Sequence, residues 1–382
     1  MKIYAVIGAN YGDEGKGLAT AFFADQLLKQ TGGPPMIVLA NGGPQRGHTV
    51  ESTNGFRHVF HHFGSHLLST GCSTWIPWTF CVNPMVFLQE IKELRPYAVK
   101  VFCHPKALVT TPYDMLVNQA QELSRGDHRH GSTGMGIWTT MVRSREIKLY
   151  AEDLGGPNLE TQLSKCRSWA EEALANIGSE EHSQLLHSEP LFRRWIDDAR
   201  QMSKLIELAD ETILRSQSGI IFEHGQGLLL SSDSSNVHTT PSITGVESAS
   251  KILDRALLRP CLINAVYVSR TYMTRHGAGP FPSECDTHAL SDLIGKDHTN
   301  VPNPWQGSIR YGKLDPKALV SRIKMDFSGR LGAPGLFLTH ADKIQIDPAD
   351  LPLLKWISRS RWVEQVHDLA NPLSIQEIFQ TT

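Results

Sequence analysis

Ile3-Tyr4-Ala5-Val6-Ile7-Gly8-Ala9-Asn10-Tyr11-Gly12-Asp13-Glu14-Gly15-Lys16-Gly17 is the stretch on which the reading of this chain turns. An apolar strand runs straight into a glycine-rich turn, and the segment that follows, Leu18 to Leu28, reads as a helix. That order makes a phosphate cradle. Gly12, Gly15 and Gly17 let the backbone approach an anion closely, the helix N-terminus favours negative charge, and Lys16 supplies a point charge. The loop is not of the Gly-x4-Gly-Lys-Ser/Thr kind, because Asn10 and Gly17 stand where that pattern has a glycine and a hydroxyl. Without the hydroxyl the usual magnesium ligand is missing, and Asp13 becomes the group expected to hold the metal.

Outward from this loop, strand candidates recur at Met36 to Leu39, Ala98 to Cys103, Ile220 to Phe222, Cys261 to Val268 and Gly335 to Thr339. Strands alternating with helical segments predict an α/β fold of the P-loop NTPase kind, a largely parallel central sheet with helices on both faces. Ligands of such sheets collect beyond the carboxyl ends of the strands, where most candidate segments fall. From about 158 to 215 the composition turns helical and polar, which predicts a helical insertion anchored by Trp169, Leu174, Leu185, Leu186, Phe192 and Trp195. With neither an internal repeat nor a low-complexity linker, 1–382 is expected to be a single domain.

Composition narrows the function classes. At 382 residues and 40% hydrophobic content the chain can bury a large core. Its formal net charge of -2 gives no reason to expect a nucleic-acid or membrane surface. No apolar run approaches the roughly 20 residues of a membrane span, and no signal peptide precedes the first strand, so a cytoplasmic protein is expected. The cysteines include no Cys-x-x-Cys pair, and buried thiols are expected rather than disulfides or zinc ligands.

Gly12-Asp13-Glu14-Gly15-Lys16-Gly17 resembles the signature that opens adenylosuccinate synthetases, and further segments follow in the family's order. Gly47-His48-Thr49 resembles its second catalytic segment, and Ser132-Thr133-Gly134-Met135-Gly136 its Thr-Gly-x-Gly nucleotide loop. Phe222-Glu223-His224-Gly225-Gln226-Gly227 is similar to its Phe-Glu-Gly-Ala-Gln-Gly strand end. Thr274-Arg275-His276-Gly277-Ala278-Gly279-Pro280-Phe281-Pro282 is close to its Thr-Arg-Val-Gly-Ala-Gly-Pro-Phe-Pro run.

The resemblance implies a ligase joining L-aspartate to C6 of a 6-oxopurine nucleoside monophosphate, with the γ-phosphate of GTP or ATP activating O6. It implies Asp13 as the base for the N1 proton, His48 as the acid facing the phosphoryl group, and Lys16 among the catalytic groups. Gly12, Glu14, Gly15, Gly17, Gly47, Thr49 and Asp342 fall on the triphosphate and Mg²⁺ positions, with Asp13 and the Gly47 carbonyl holding the metal. Asn41, Ser132, Gln226 and Thr240 map to the monophosphate, and Thr133 and Arg143 to its 5′-phosphate. An arginine near 143 reaches across a homodimer in the family. Thr299 and Arg310 are the expected contacts of aspartate.

Departures from the family pattern keep alternatives open. Gln45-Arg46 replaces Asn-Ala ahead of Gly47, only Arg310 survives from the arginine-rich aspartate loop, and Thr339-His340-Ala341-Asp342 lacks the lysine of Thr-Lys-x-Asp. The substrate is expected to be IMP, since Asp13 is intact. A viral branch of the family instead acts on dGMP and makes a 2-aminoadenine precursor, and the chain shares its short length. A non-catalytic nucleotide-binding regulator is a third reading. Keeping Asp13 with His48 argues against it, because binding a triphosphate requires neither.

Overall fold

The computed structural model describes residues 1–52, 55–97, 99–234, 238–258, 262–285 and 306–341, and the backbone of 355–361 and 365–366. Thr299 and Asp342 lie outside the described residues, so their expected roles are not placed.

The strands of the main sheet are β1 (Lys2–Gly8), β2 (Met36–Leu39), β5 (Ser73–Ile76), β6 (Val101–Cys103), β7 (Glu207–Leu208), β8 (Gly219–Gly227), β9 (Ile263–Arg270), β12 (Gly335–Thr339), β13 (Lys355–Arg361) and β14 (Gln365–Val366). Their order is β14-β13-β12-β9-β1-β8-β2-β5-β6-β7, and every pairing except β13 with β14 is parallel. Two antiparallel hairpins stand apart from it, β3 (His48–Glu51) with β4 (Arg57–Phe60), and β10 (Met273–Arg275) with β11 (Arg310–Gly312).

The helices are α1 (Lys16–Thr31), α2 (Pro84–Leu94), α3 (Pro112–Ser124), α4 (Ile137–Arg143), α5 (Leu159–Ile177), α6 (Glu180–Leu186), α7 (Glu189–Leu205), α8 (Val246–Arg255) and the helix Pro316–Phe327, α9. Helix starts follow local chemistry: Asn83 before Pro84, Thr111 before Pro112 and Asp315 before Pro316 each accept a first-turn amide.

Both faces of the sheet are covered because β1 alternates. Ile3, Ala5 and Ile7 pack on the side of α8 and α9, whereas Val6 meets Ala19, Phe22 and Phe23 of α1. The region expected to be a helical insertion forms α5 to α7, whose Trp195, Leu174 and Leu186 join a third core together with α2 and α3. Leu185, expected as an anchor, is 48% exposed, one helical step away from the buried Leu186. The insertion ends by adding β7 to the sheet edge, a strand too short for its sequence to reveal.

Candidate active site

The carboxyl ends of β1, β8, β9 and β12 converge on the loop from Asn10 to Gly15. A Cβ on Gly12 would lie 2.9 Å from Cα of Gln226, itself in the left-handed region at φ 64°, so only glycine lets the end of β8 seat against the loop. A Cβ on Gly17 would lie 2.8 Å from the carbonyl oxygen of Thr49, which brings the first turn of α1 against the strand that begins at His48. From β12, Thr339 donates its hydroxyl to the Glu14 carbonyl at 2.7 Å. Segments quoted from four parts of the sequence thus meet at one cradle.

Inside the cradle an ion pair is already formed. Glu14 accepts the amides of Gly12 at 2.7 Å and Asn10 at 3.0 Å, and its other oxygen lies 3.2 Å from Lys16 Nζ. Lys16 also donates to the Gly12 carbonyl at 2.6 Å and is buried, so the charge expected to face a phosphate is turned into the loop. Asn10 anchors this assembly from outside: it donates to Ser269 Oγ at 2.9 Å and accepts from Arg322 at 2.6 Å.

Asp13 is held by a residue that the sequence reading passed over. Arg270, at the end of β9, donates Nη2 to Asp13 Oδ2 at 2.7 Å and Nε to its main-chain carbonyl at 2.6 Å, while Nη1 donates to the Tyr272 hydroxyl at 2.8 Å. A charged residue closing an apolar parallel strand was the available signal.

His48 belongs to a buried triad. Its Nδ1 lies 2.7 Å from Glu223 Oε1, and Glu223 Oε2 accepts from Arg46 at 2.8 Å and from the Ser65 amide at 3.1 Å. Glu223 is fully buried, yet Arg46 and His48 hold its carboxyl below the ordinary range against the effect of burial. Burial, and then the Arg46 cation, push His48 down to about 4, despite Glu223. With a carboxylate neighbour that can only accept, the neutral His48 ring donates Nδ1–H to Glu223. Arg46 points inward to Glu223 and the Phe63 carbonyl, not outward to a ligand.

Beside the cradle opens a cavity of about 520 Å³, a size suited to a nucleotide. Ser132, Thr133, Gln226 and Thr240, mapped above to the monophosphate, line it, together with Gln45, His130, His238 and Arg275, which were given no ligand role. Its wall is fixed by two glycines whose backbones touch. A Cβ on Gly131 would lie 2.5 Å from Gly277 Cα, and one on Gly277 would lie 2.6 Å from the Gly131 carbonyl oxygen.

Three expected ligands are engaged elsewhere. Arg143 is fully buried, donates to Asp114 at 2.8 Å and to the carbonyls of Val109 and Ile147, and does not line the cavity. Its expected contact with a 5′-phosphate, its own or a partner's, is corrected to an interior ion pair. Asn41 is also buried and brackets Gly225, accepting from its amide at 2.9 Å and donating to its carbonyl at 3.2 Å. Arg310 pairs with Glu284 and donates to the carbonyls of Gly277 and Gly279.

For a metal, the chemistry of the donors is right. Asp13, 26% exposed at its side chain, and the carbonyl of the exposed Gly47 are hard oxygens, and magnesium takes one or two such groups with substrate phosphates. Among the described residues no three His, Cys, Asp or Glu side chains gather to bind a metal by themselves.

A family model described as adenylosuccinate synthetase matches residues 5–344. An adenylosuccinate synthetase of Acetivibrio thermocellus is 27% identical over 359 residues, 90% of this chain and 79% of the relative. One of Synechocystis is 30% identical over 291 residues, 74% of this chain and 62% of the relative. Among solved structures, a fully ligated adenylosuccinate synthetase from Plasmodium falciparum superposes with a TM-score of 0.70 at 20% identity, covering 91% of this chain and 79% of that one. A succinoaminodeoxyadenylate synthetase of cyanophage S-2L, bound to dGMP and dATP as an energy donor, gives 0.65 at 16% identity, covering 99% and 98%. The two structures speak for the fold, and the family match extends from β1 past the end of β12. This chain belongs to the adenylosuccinate synthetase family.

Proposed function

We propose that this C–N ligase joins L-aspartate to C6 of IMP, using the γ-phosphate of GTP or ATP to activate O6. The observation that carries the reading is the placement of Asp13 and His48 at one cradle, with the Gly17 backbone packed against His48 and Thr49. Asp13 takes the N1 proton, O6 bonds to the γ-phosphorus, and the bond from that phosphorus to the β-bridging oxygen breaks. The aspartate amine then bonds to C6, loses a proton, and O6 leaves as part of phosphate. His48, oriented by Glu223, holds its Nε2 ready to receive a proton and stabilise the phosphoryl charge. Bound magnesium would neutralise phosphate charge, with Asp13 and Gly47 as its protein ligands.

Arg310 is the candidate for an aspartate carboxylate, which would exchange with Glu284. Assembly as a homodimer belongs to the same reading, since Trp138, which lines the cavity, and Leu123 are exposed and apolar. The test is phosphate release with magnesium, L-aspartate and GTP or ATP, comparing IMP, GMP and dGMP, with mass spectrometry of the product. Absence of an aspartate-dependent product from any of them refutes the reading. The second reading, dGMP as substrate, is favoured by the nearly complete mutual coverage with the cyanophage enzyme.

A further inference from the structure

A base has to stand within hydrogen-bond reach of the proton it takes, and the loop that carries Asp13 does little to hold it there. Asp13 follows Gly12, in the left-handed region at φ 107°, and its side chain is 26% exposed. Within the loop it is the neighbouring Glu14 that accepts the amides of Asn10 and Gly12 and ties the turn together. The orientation of Asp13 comes from another strand.

Arg270 closes β9, which lies between β1 and β12 in the sheet, and it is 6% exposed. Its guanidinium is a planar fork with donors at fixed angles. Nε donates to the Asp13 main-chain carbonyl and Nη2 to Oδ2, so one rigid group fixes both the backbone and the side chain of the same residue. Thr274 adds its hydroxyl to that carbonyl at 3.3 Å. The fork is braced in turn. Nη1 donates to the Tyr272 hydroxyl, and the Tyr272 ring stands edge-on to that of His340 with centroids 5.6 Å apart. Between them Thr271 donates its hydroxyl to the His340 carbonyl at 2.9 Å, which ties the brace to the residue after β12. The arrangement divides the carboxylate: Oδ2 is engaged by Arg270, and Oδ1 is the oxygen that the fork does not engage.

We propose that Arg270 is a positioning residue for the reaction, which clamps Asp13 by Oδ2 and its main chain and so assigns Oδ1 to the N1 proton of the purine. The inference rests on the ligase reading and names the group that makes Asp13 an oriented base.

The variants Arg270→Met, Arg270→Lys and Arg270→Ala of the full-length protein test it, with aspartate-dependent phosphate release measured beside calorimetric titration of IMP, dGMP and GTP. Misplacing a reacting group by about 1 Å costs about 100-fold, so Arg270→Met is expected to lose about that much in kcat while Kd for the nucleotides stays at the wild-type value. In Arg270→Ala, millimolar guanidinium chloride is expected to restore part of the lost kcat by occupying the place of the fork, and to do nothing for wild type or Asp13→Asn. Arg270→Lys keeps the cation without the fork and is expected to fall between wild type and Arg270→Met. A loss of kcat that tracks weaker nucleotide binding, and is recovered by neither guanidinium nor lysine, would overturn the proposal, since the arginine would then serve the fold alone. An active wild type whose Arg270→Met variant keeps its kcat also overturns it and leaves the ligase reading standing. A wild type that releases no aspartate-dependent phosphate with IMP, GMP or dGMP removes the ligase reading, and this assignment falls with it.

Discussion

Replacing Glu223 by glutamine removes one charge from the interior and almost no volume. In the native protein that carboxylate answers two groups at once, Arg46 at 2.8 Å and His48 at 2.7 Å, with no exposure to water. Glutamine leaves the Arg46 guanidinium buried without a counter-charge, and deleting one partner of such a pair costs about 3–5 kcal/mol. Against a typical total of about 5–15 kcal/mol, that is a large share of the fold's stability. The amide also presents N–H where His48 Nδ1–H now donates, which forces the other tautomer, and loss of general acid–base function lowers turnover by about 100-fold or more. The double variant Arg46→Met/Glu223→Leu separates the two effects. Replacing both charges by apolar groups is often neutral or stabilising, so urea unfolding at pH 7.5 should return to within about 1 kcal/mol of wild type, while phosphate release stays low because no acceptor remains to orient His48. The reasoning fails if the single variant unfolds within about 1 kcal/mol of wild type, or if the double variant recovers turnover.

Acid should unfold the protein in two stages. His48 is held at about 4 by burial and Arg46, below its free value of 6.5, so the unfolded chain binds the extra proton between them and stability falls by about 3 kcal/mol as pH drops through that window. Glu90, lowered from 4.5 to about 2 by His58 and His62 against burial, adds a second loss below pH 4.5. His224, also held at about 4 by burial, adds to the same limb, so His48→Gln, followed by urea midpoints from pH 7 to 4, should make the first limb shallower without removing it, and an unchanged slope contradicts it. Arg143→Met is expected to lose about 3–5 kcal/mol in thermal unfolding while the folded enzyme keeps its KM for the monophosphate; a raised KM with normal stability would restore this arginine to the ligand site. Gly131→Ala places a Cβ 2.5 Å from Gly277 Cα at φ 72° and should cost at least about 2 kcal/mol, whereas Gly178→Ala, also left-handed but with nothing within 4 Å, should cost about 1 kcal/mol. Comparable melting temperatures for the two would refute the contact. Asp13→Asn is expected to lower turnover by about 100-fold or more with nucleotide binding retained, measured as kcat against Kd.

The cradle was legible because its parts are neighbours in the chain: a strand, a glycine turn and a helix start are written in consecutive residues. So were His48 beside Gly47, and the central strands β2 and β12, whose apolar runs match the observed bounds. What escaped was pairing at a distance. Glu223 was quoted within its segment without a role, yet a carboxylate in the apolar run Ile220-Ile221-Phe222 requires a buried partner. Which partner it takes, Arg46 and His48 some 177 and 175 residues away, follows from sheet order and not from local pattern. Arg143 was misplaced for the same reason, since Asp114, 29 residues earlier, claims it first. The hairpins β3–β4 and β10–β11 were not called, as segments of three or four residues carry too little periodicity to register.

The touching backbones of Gly131 and Gly277 tie the fate of two substrates together. Arg310 donates to the carbonyls of Gly277 and Gly279, so the strip that borders the monophosphate cavity also carries the arginine expected to greet the amino acid. A nucleotide that shifts the 131–134 turn by even a fraction of an ångström has to move Gly277, and with it the grip on Arg310. The coupling is reciprocal: on the proposed reading, whatever factor the nucleotide applies to the affinity for the amino acid, the amino acid applies to the affinity for the nucleotide.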